Sequence, residues 1–189
     1  MTVLRLVLLI SLGALTAMGQ QNSSQRPSAP RPPASCPVTV PPANPFTPPA
    51  PYEPGMNPNG FWFGTEKLWT ALRKSGVWPW VPHGPGHEHQ VQPLTDKIFW
   101  WSVDFNWKKE EYPELKVTGR RLDGDAPPLL TLPTTNAIGG DETAAMLTGV
   151  YVPAPGCWEI TGDYKGEKLS FVVWVQPVKQ VKPVKQGNQ

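Results

Sequence analysis

Three histidines fall close together in Pro82-His83-Gly84-Pro85-Gly86-His87-Glu88-His89. In extended backbone His87 and His89 point the same way, because alternate side chains share a face. His83 can return across the Gly-Pro-Gly turn. Three imidazoles can fill three positions of a zinc or copper site. The spacing matches no established zinc signature. The competing reading is a polar, glycine-rich loop whose imidazoles are merely solvated. A second constellation is aromatic. The chain carries nine tryptophans, and Trp100 lies two, four and six residues before Ser102, Asp104 and Asn106. On a continuous strand these side chains share one face. An indole beside hydrogen-bonding groups offers a sugar ring both stacking and polar contacts. Trp78 and Trp80, flanking Pro79, can serve likewise. The alternative is that other parts of the chain cover Trp100.

Signals for catalysis are weak. Glu110 and Glu111 are adjacent, but neighbours on a strand or turn face apart, so their spacing does not make an acid/base pair. There is no Gly-x-Ser-x-Gly elbow, no His-Glu-x-x-His and no glycine-rich phosphate loop. The expectation is a non-enzymatic protein with no cofactor. Its partner would be a protein or a glycan.

The elements that would position these residues read as strands. From Phe61 onward, short apolar runs alternate with Gly, Pro, Asn and Asp, the pattern of many short strands. Phe61–Phe63 and Lys67–Arg73 form a first pair, and Val77–Val81 a short edge piece. From Ile98 to Trp107 the odd positions (Phe99, Trp101, Val103, Phe105, Trp107) are all apolar. The even positions are mostly polar after Ile98 and Trp100. This predicts a strand burying its odd face, with Leu115–Leu122 as its partner. Leu129–Leu132 and Met146–Val152 add two more strands, with Thr134–Thr143 as a polar loop. The last hairpin puts Trp158 and Ile160, then Leu169, Phe171, Val173 and Val175, toward the core. About eight strands and no convincing helix predict an all-β, immunoglobulin-like β-sandwich.

The flanks read differently. Residues 1–19 form a signal peptide: Arg5, an uncharged apolar run from Leu6 to Met18, and small residues before Gln20. That run is short for a membrane span, and no transmembrane segment is expected after cleavage. Residues 20–58 form a Pro-rich arm holding thirteen of the 25 prolines. Residues 59–176 are the β-domain, and 177–189 a basic, disordered tail with lysine at every third position. Arg5 lies in the signal, so the 17 basic residues fall to one more than the 15 acidic ones. This near-neutral balance argues against a nucleic-acid partner. Two cysteines in an exported chain predict a Cys36–Cys157 disulfide. If Trp158 and Ile160 face inward, Cys157 faces outward. Cys36 then lies outside the sandwich, and the arm crosses the outer face near Val172 and Trp174.

The stretch Pro155-Gly156-Cys157-Trp158-Glu159-Ile160-Thr161-Gly162, followed by Leu169-Ser170-Phe171-Val172-Val173, resembles the C-terminal end of a group of uncharacterised secreted bacterial proteins. Phe61-Trp62-Phe63-Gly64 with Leu68-Trp69 is similar, as is Val117–Gly124 with Pro127-Pro128. The resemblance implies a bacterial source and a β-sandwich, while the signal peptide implies a periplasmic or extracellular location. It implies no activity. The leading expectation is a secreted structural or protein-binding module. The alternatives are a carbohydrate-binding module built on Trp100, Asp104, Asn106, Trp78 and Trp80, and a metal site at His83, His87 and His89.

Overall fold

The computed structural model describes residues 31–52, 59–80, 94–137 and 143–178. Among them are ten strands and no helix. They are β1 (Gly60–Thr65), β2 (Leu68–Arg73), β3 (Val77–Trp80), β4 (Asp96–Trp101), β5 (Lys116–Arg121), β6 (Leu130–Thr131), β7 (Thr135–Ala137), β8 (Ala145–Tyr151), β9 (Gly156–Tyr164) and β10 (Glu167–Pro177). Sheet A runs β1-β2-β4-β8-β6, with β7 also paired to β8. Sheet B runs β3-β10-β9-β5. All pairs are antiparallel except β3 with β10, which is parallel.

The inner faces of both sheets meet in one apolar cluster. Sheet A supplies Phe61, Leu68, Leu72, Ile98, Trp100, Met146 and Val150. Sheet B supplies Trp78, Val117, Trp158, Ile160, Phe171, Val173 and Val175. Burying one such side chain contributes roughly 1.5–3 kcal/mol. The alternation expected of β9 and β10 holds: Trp158 and Ile160 are fully buried opposite Val173 and Phe171. The hairpin turns at Lys165 and Gly166, both with positive φ (52° and 87°). Gly162 makes room for the core, since a Cβ there would sit 2.6 Å from the Trp100 ring.

The face expected of β4 is reversed. Ile98 and Trp100 point into the shared core, whereas Trp101 is buried on the opposite side of the sheet and Phe99 is exposed. The strand also stops at Trp101. Val103 is exposed and Trp107 half-buried, both in the connection to β5 rather than on a core face. The alternation argument assumed one buried face, but sheet A buries apolar side chains on both. β5 pairs with β9 in sheet B and not with β4. The expected Thr134–Thr143 loop contains the short strand β7.

The Pro-rich segment explains the second buried face. Cys36 and Cys157 form the expected disulfide, with Cα atoms 5.5 Å apart, and neither belongs to the shared core. Beyond it, Thr39 accepts Val172 N–H on its Oγ1 (2.8 Å) and donates its own N–H to Val172 O (2.9 Å). The chain then reaches a cleft where Pro42, Asn44 and Phe46 meet Trp62–Thr65 and Leu169. It ends on sheet A, where Phe46 and Tyr52 pack against the outer tryptophans. Residues 36–52 are thus a strap from the outer face of sheet B to the outer face of sheet A.

Candidate functional site

The outer face of sheet A concentrates the apolar groups not used between the sheets. Alternation puts Trp62 (β1), Trp69 (β2), Phe99 and Trp101 (β4) and Leu147 (β8) on this side. Trp62 meets Trp101 edge-on at 5.0 Å. Phe99 stacks on Trp101 at 6.1 Å. The strap covers one half: Phe46 lies 5.9 Å from Trp69 and Tyr52 5.1 Å from it, ring centre to ring centre. Trp101 Nε1 donates to Thr143 O at 3.4 Å. Trp69 is fully buried, and among the described residues its Nε1 has no acceptor.

The other half of the face is open. Phe99 pairs with Leu147, and Leu130 with Tyr151. Leu132 and Leu94 close over Gly149, reaching about where a Cβ would make contact (3.0 and 2.9 Å). Phe99 is 41% exposed, Leu132 43% and Leu130 69%. Contiguous apolar surface of this kind marks contact sites. The outer face of sheet B is its opposite. Cross-strand rungs there read Lys116–Asp163–Lys168, Thr118–Thr161–Ser170 and Arg120–Glu159, and ion pairs cross them at Arg120–Glu159 (2.7 Å) and Lys168–Asp163 (3.6 Å).

The expected sugar platform does not exist as a surface. Trp100 has no exposed area and Trp78 only 4%; both belong to the core between the sheets. Trp80 is half-buried and donates Nε1–H to Val152 O at 3.0 Å. Asp104 and Asn106 lie in the β4–β5 connection. Asp104 is paired with Lys67 at 3.1 Å, and Asn106 Oδ1 accepts Lys108 N–H at 3.1 Å. Trp78, Trp80 and Trp100 gather at the shared core, away from Asp104 and Asn106, so the five residues form no common surface. The strand broke at Trp101, so the face that alternation assigned to Trp100 ends before Asp104. His83, His87 and His89 lie outside the described residues. Among the described residues, no group of three or more His, Cys, Asp or Glu is placed to hold a metal.

Two polar knots tie up carboxylates in structural bonds. Glu110 accepts Tyr164 O–H (2.8 Å) and Lys165 Nζ–H (2.9 Å), and Lys165 also donates to Asp104 O. These bonds tie the β4–β5 connection to the hairpin turn. Burial opposes the Glu110 charge, but the Lys165 and Tyr164 bonds outweigh it and hold the carboxyl below its ordinary range. Burial first, then the same carboxylate, pushes the Tyr164 phenol up to about 12. Beside this knot, Lys109, Glu111, exposed Tyr112 and Glu114 line an open cleft of about 550 Å³. In the second knot Arg121 Nε meets Asp123 Oδ1 at 2.7 Å. Burial raises the Asp123 carboxyl, but Arg121 and the Cys157 N–H more than offset it. Gly156, at φ 146°, lies against this pair. A Cβ there would sit 2.6 Å from Arg121 Nε and 2.7 Å from Asp123 Oδ1. The Arg-Leu-Asp-Gly and Pro-Gly-Cys-Trp stretches are therefore two halves of one lock at the start of β9.

No family model, curated protein or solved structure matches the chain.

Proposed function

We propose that this protein is a secreted, non-enzymatic β-sandwich module that acts by protein contact at the bacterial envelope or exterior. The observation that carries this reading is the open apolar half of sheet A, where Phe99, Leu130 and Leu132 are exposed beside half-buried Leu147. A face that holds apolar side chains next to an already buried tryptophan cluster is suited to a protein surface. The buried positions of Trp100 and Trp78 count against a carbohydrate module. A disulfide is compatible with an oxidising compartment. The paired carboxylates of Glu110 and Asp123 are bound structurally, which favours a non-catalytic role.

The sandwich is proposed to be of immunoglobulin-like kind. In that fold one sheet takes the first, second, fifth and fourth strands of seven, and the other the third, sixth and seventh. Counting β2, β4, β5, β6, β8, β9 and β10 in chain order reproduces both sheets, with β1, β3 and β7 as additions. The resemblance to secreted bacterial proteins points the same way.

The test is a photo-crosslinking residue placed at Phe99 or at Leu132, in full-length protein made by its own cell. Discrete protein adducts are expected from both positions, and none from Thr118 on the polar face. Equal labelling from Thr118, or no adduct from either apolar position, rules the reading out.

A further inference from the structure

The strap reveals what the tryptophan face accepts, because it is itself docked there. Its bound part, residues 46–52, is Phe-Thr-Pro-Pro-Ala-Pro-Tyr. Phe46 and Tyr52 rest on Trp69, and Pro48 between them is buried. Before it, Val40 is 57% exposed and Pro41–Pro45 are exposed throughout. The strap is pinned on its far side by the disulfide and the Thr39–Val172 bonds.

The fit is incomplete in one respect. Trp69 Nε1–H is buried and, among the described residues, finds no acceptor beneath the strap. Buried donors are almost always paired, and leaving one orphaned weakens the packed state. Proline-rich segments dock in aromatic-lined grooves in their preformed extended conformation, and a backbone carbonyl of such a segment can accept an indole N–H. A segment that does so makes a bond the strap does not. The open continuation at Phe99, Leu147 and Leu132 gives it a place to land before the strap leaves.

We propose that the Trp62–Trp69–Trp101 groove is a docking site for proline-rich segments of partner proteins that carry flanking aromatic residues, and that residues 40–52 are a tethered lid occupying it in cis. This rests on the protein-contact reading above and names the partner's chemistry. Anchoring at Cys36 keeps the lid at a high effective concentration beside the groove, so the closed form dominates until a ligand competes.

The probe is a fluorescent peptide with the sequence of residues 44–52, titrated by anisotropy against full-length oxidised protein. Phe46→Ala with Tyr52→Ala loosens the lid without touching the groove. This variant should bind the peptide at least tenfold more tightly than wild type. In that background Trp69→Phe keeps a ring but deletes the donor, and should weaken binding about fivefold or more; Trp69→Ala should abolish it. Circular dichroism confirms that each variant is folded. No saturable binding to the folded double variant up to 1 mM, or binding indifferent to Trp69→Ala, overturns the proposal. So does a glycan that binds in place of the peptide and is lost with Trp69→Ala. The photo-crosslinking result at Phe99 and Leu132 does not depend on this outcome, so the two readings fail separately.

Discussion

Removing the disulfide is the most quantitative test of how the strap is held. Cys36 and Cys157 are 121 residues apart in sequence, so the bridge restrains most of the unfolded domain. The chain-entropy relation gives about 5 kcal/mol of stabilisation at 25 °C for a loop of that length. Cys157 is fully buried and Cys36 nearly so. Serine at these positions would add an unsatisfied hydroxyl, so the clean perturbation is Cys36→Ala with Cys157→Ala. The folded state keeps the Thr39–Val172 bonds and the Phe46 and Tyr52 packing, so the loss should act mainly through the unfolded chain. Urea unfolding followed by tryptophan fluorescence should show a loss of roughly 4–5 kcal/mol. At about 3 °C per kcal/mol for a domain of this size, the thermal midpoint should fall by roughly 12–15 °C. The m-value should rise, because the unbridged unfolded state is more expanded. A loss below about 1 kcal/mol with an unchanged m-value would refute the idea that the bridge acts by restraining the unfolded chain.

Other outcomes follow from single contacts. Gly162→Ala drives a methyl into the Trp100 ring and should cost about 1–3 kcal/mol in urea unfolding, whereas Gly166→Ala meets nothing nearby and should cost only the strain of its positive φ. The Tyr164 phenol, at about 12, keeps its proton in the folded state while the unfolded chain ionises near 10. Stability should therefore fall between pH 10 and 12, by at most roughly 3 kcal/mol, and Tyr164→Phe should flatten that slope in urea melts at high pH. Glu110 has the opposite sign: its depressed carboxyl gives stability that is present above the ordinary glutamate range and lost as pH falls through the folded value. Glu110→Gln should remove that acid-side slope. Asp123→Ala should destabilise by about 1–3 kcal/mol, because it strips an acceptor from Cys157 N–H and leaves the Arg121 guanidinium without its partner.

The final hairpin was legible in the residues themselves. Its alternation is strict, its turn contains glycine, and Cys157 had to face away from Trp158, which put Cys36 and the strap outside the core. β4 was not legible in the same way. Phe99, Trp100 and Trp101 are all apolar, so alternation cannot say which face is inward when a distant segment covers the other. The exposed indole expected at Trp100 failed for that reason: it lies between the sheets. The strap's packing on the outer tryptophans uses Phe46, Pro48 and Tyr52, and their aromatic-proline spacing was the signal. Its meaning depended on where the Pro-rich segment lands, which local pattern does not encode. The Arg121–Asp123–Gly156 lock joins residues more than thirty positions apart, and no local rule pairs them.

The bridge also sets an order of events during synthesis. Cys36 is made early, while its partner and the β10 residue that Thr39 grips come near the end of the domain. No third cysteine exists in the chain to capture it meanwhile. The bridge can therefore close only once Cys157, at the start of β9, has been made, and the Thr39–Val172 clasp waits longer still, for β10.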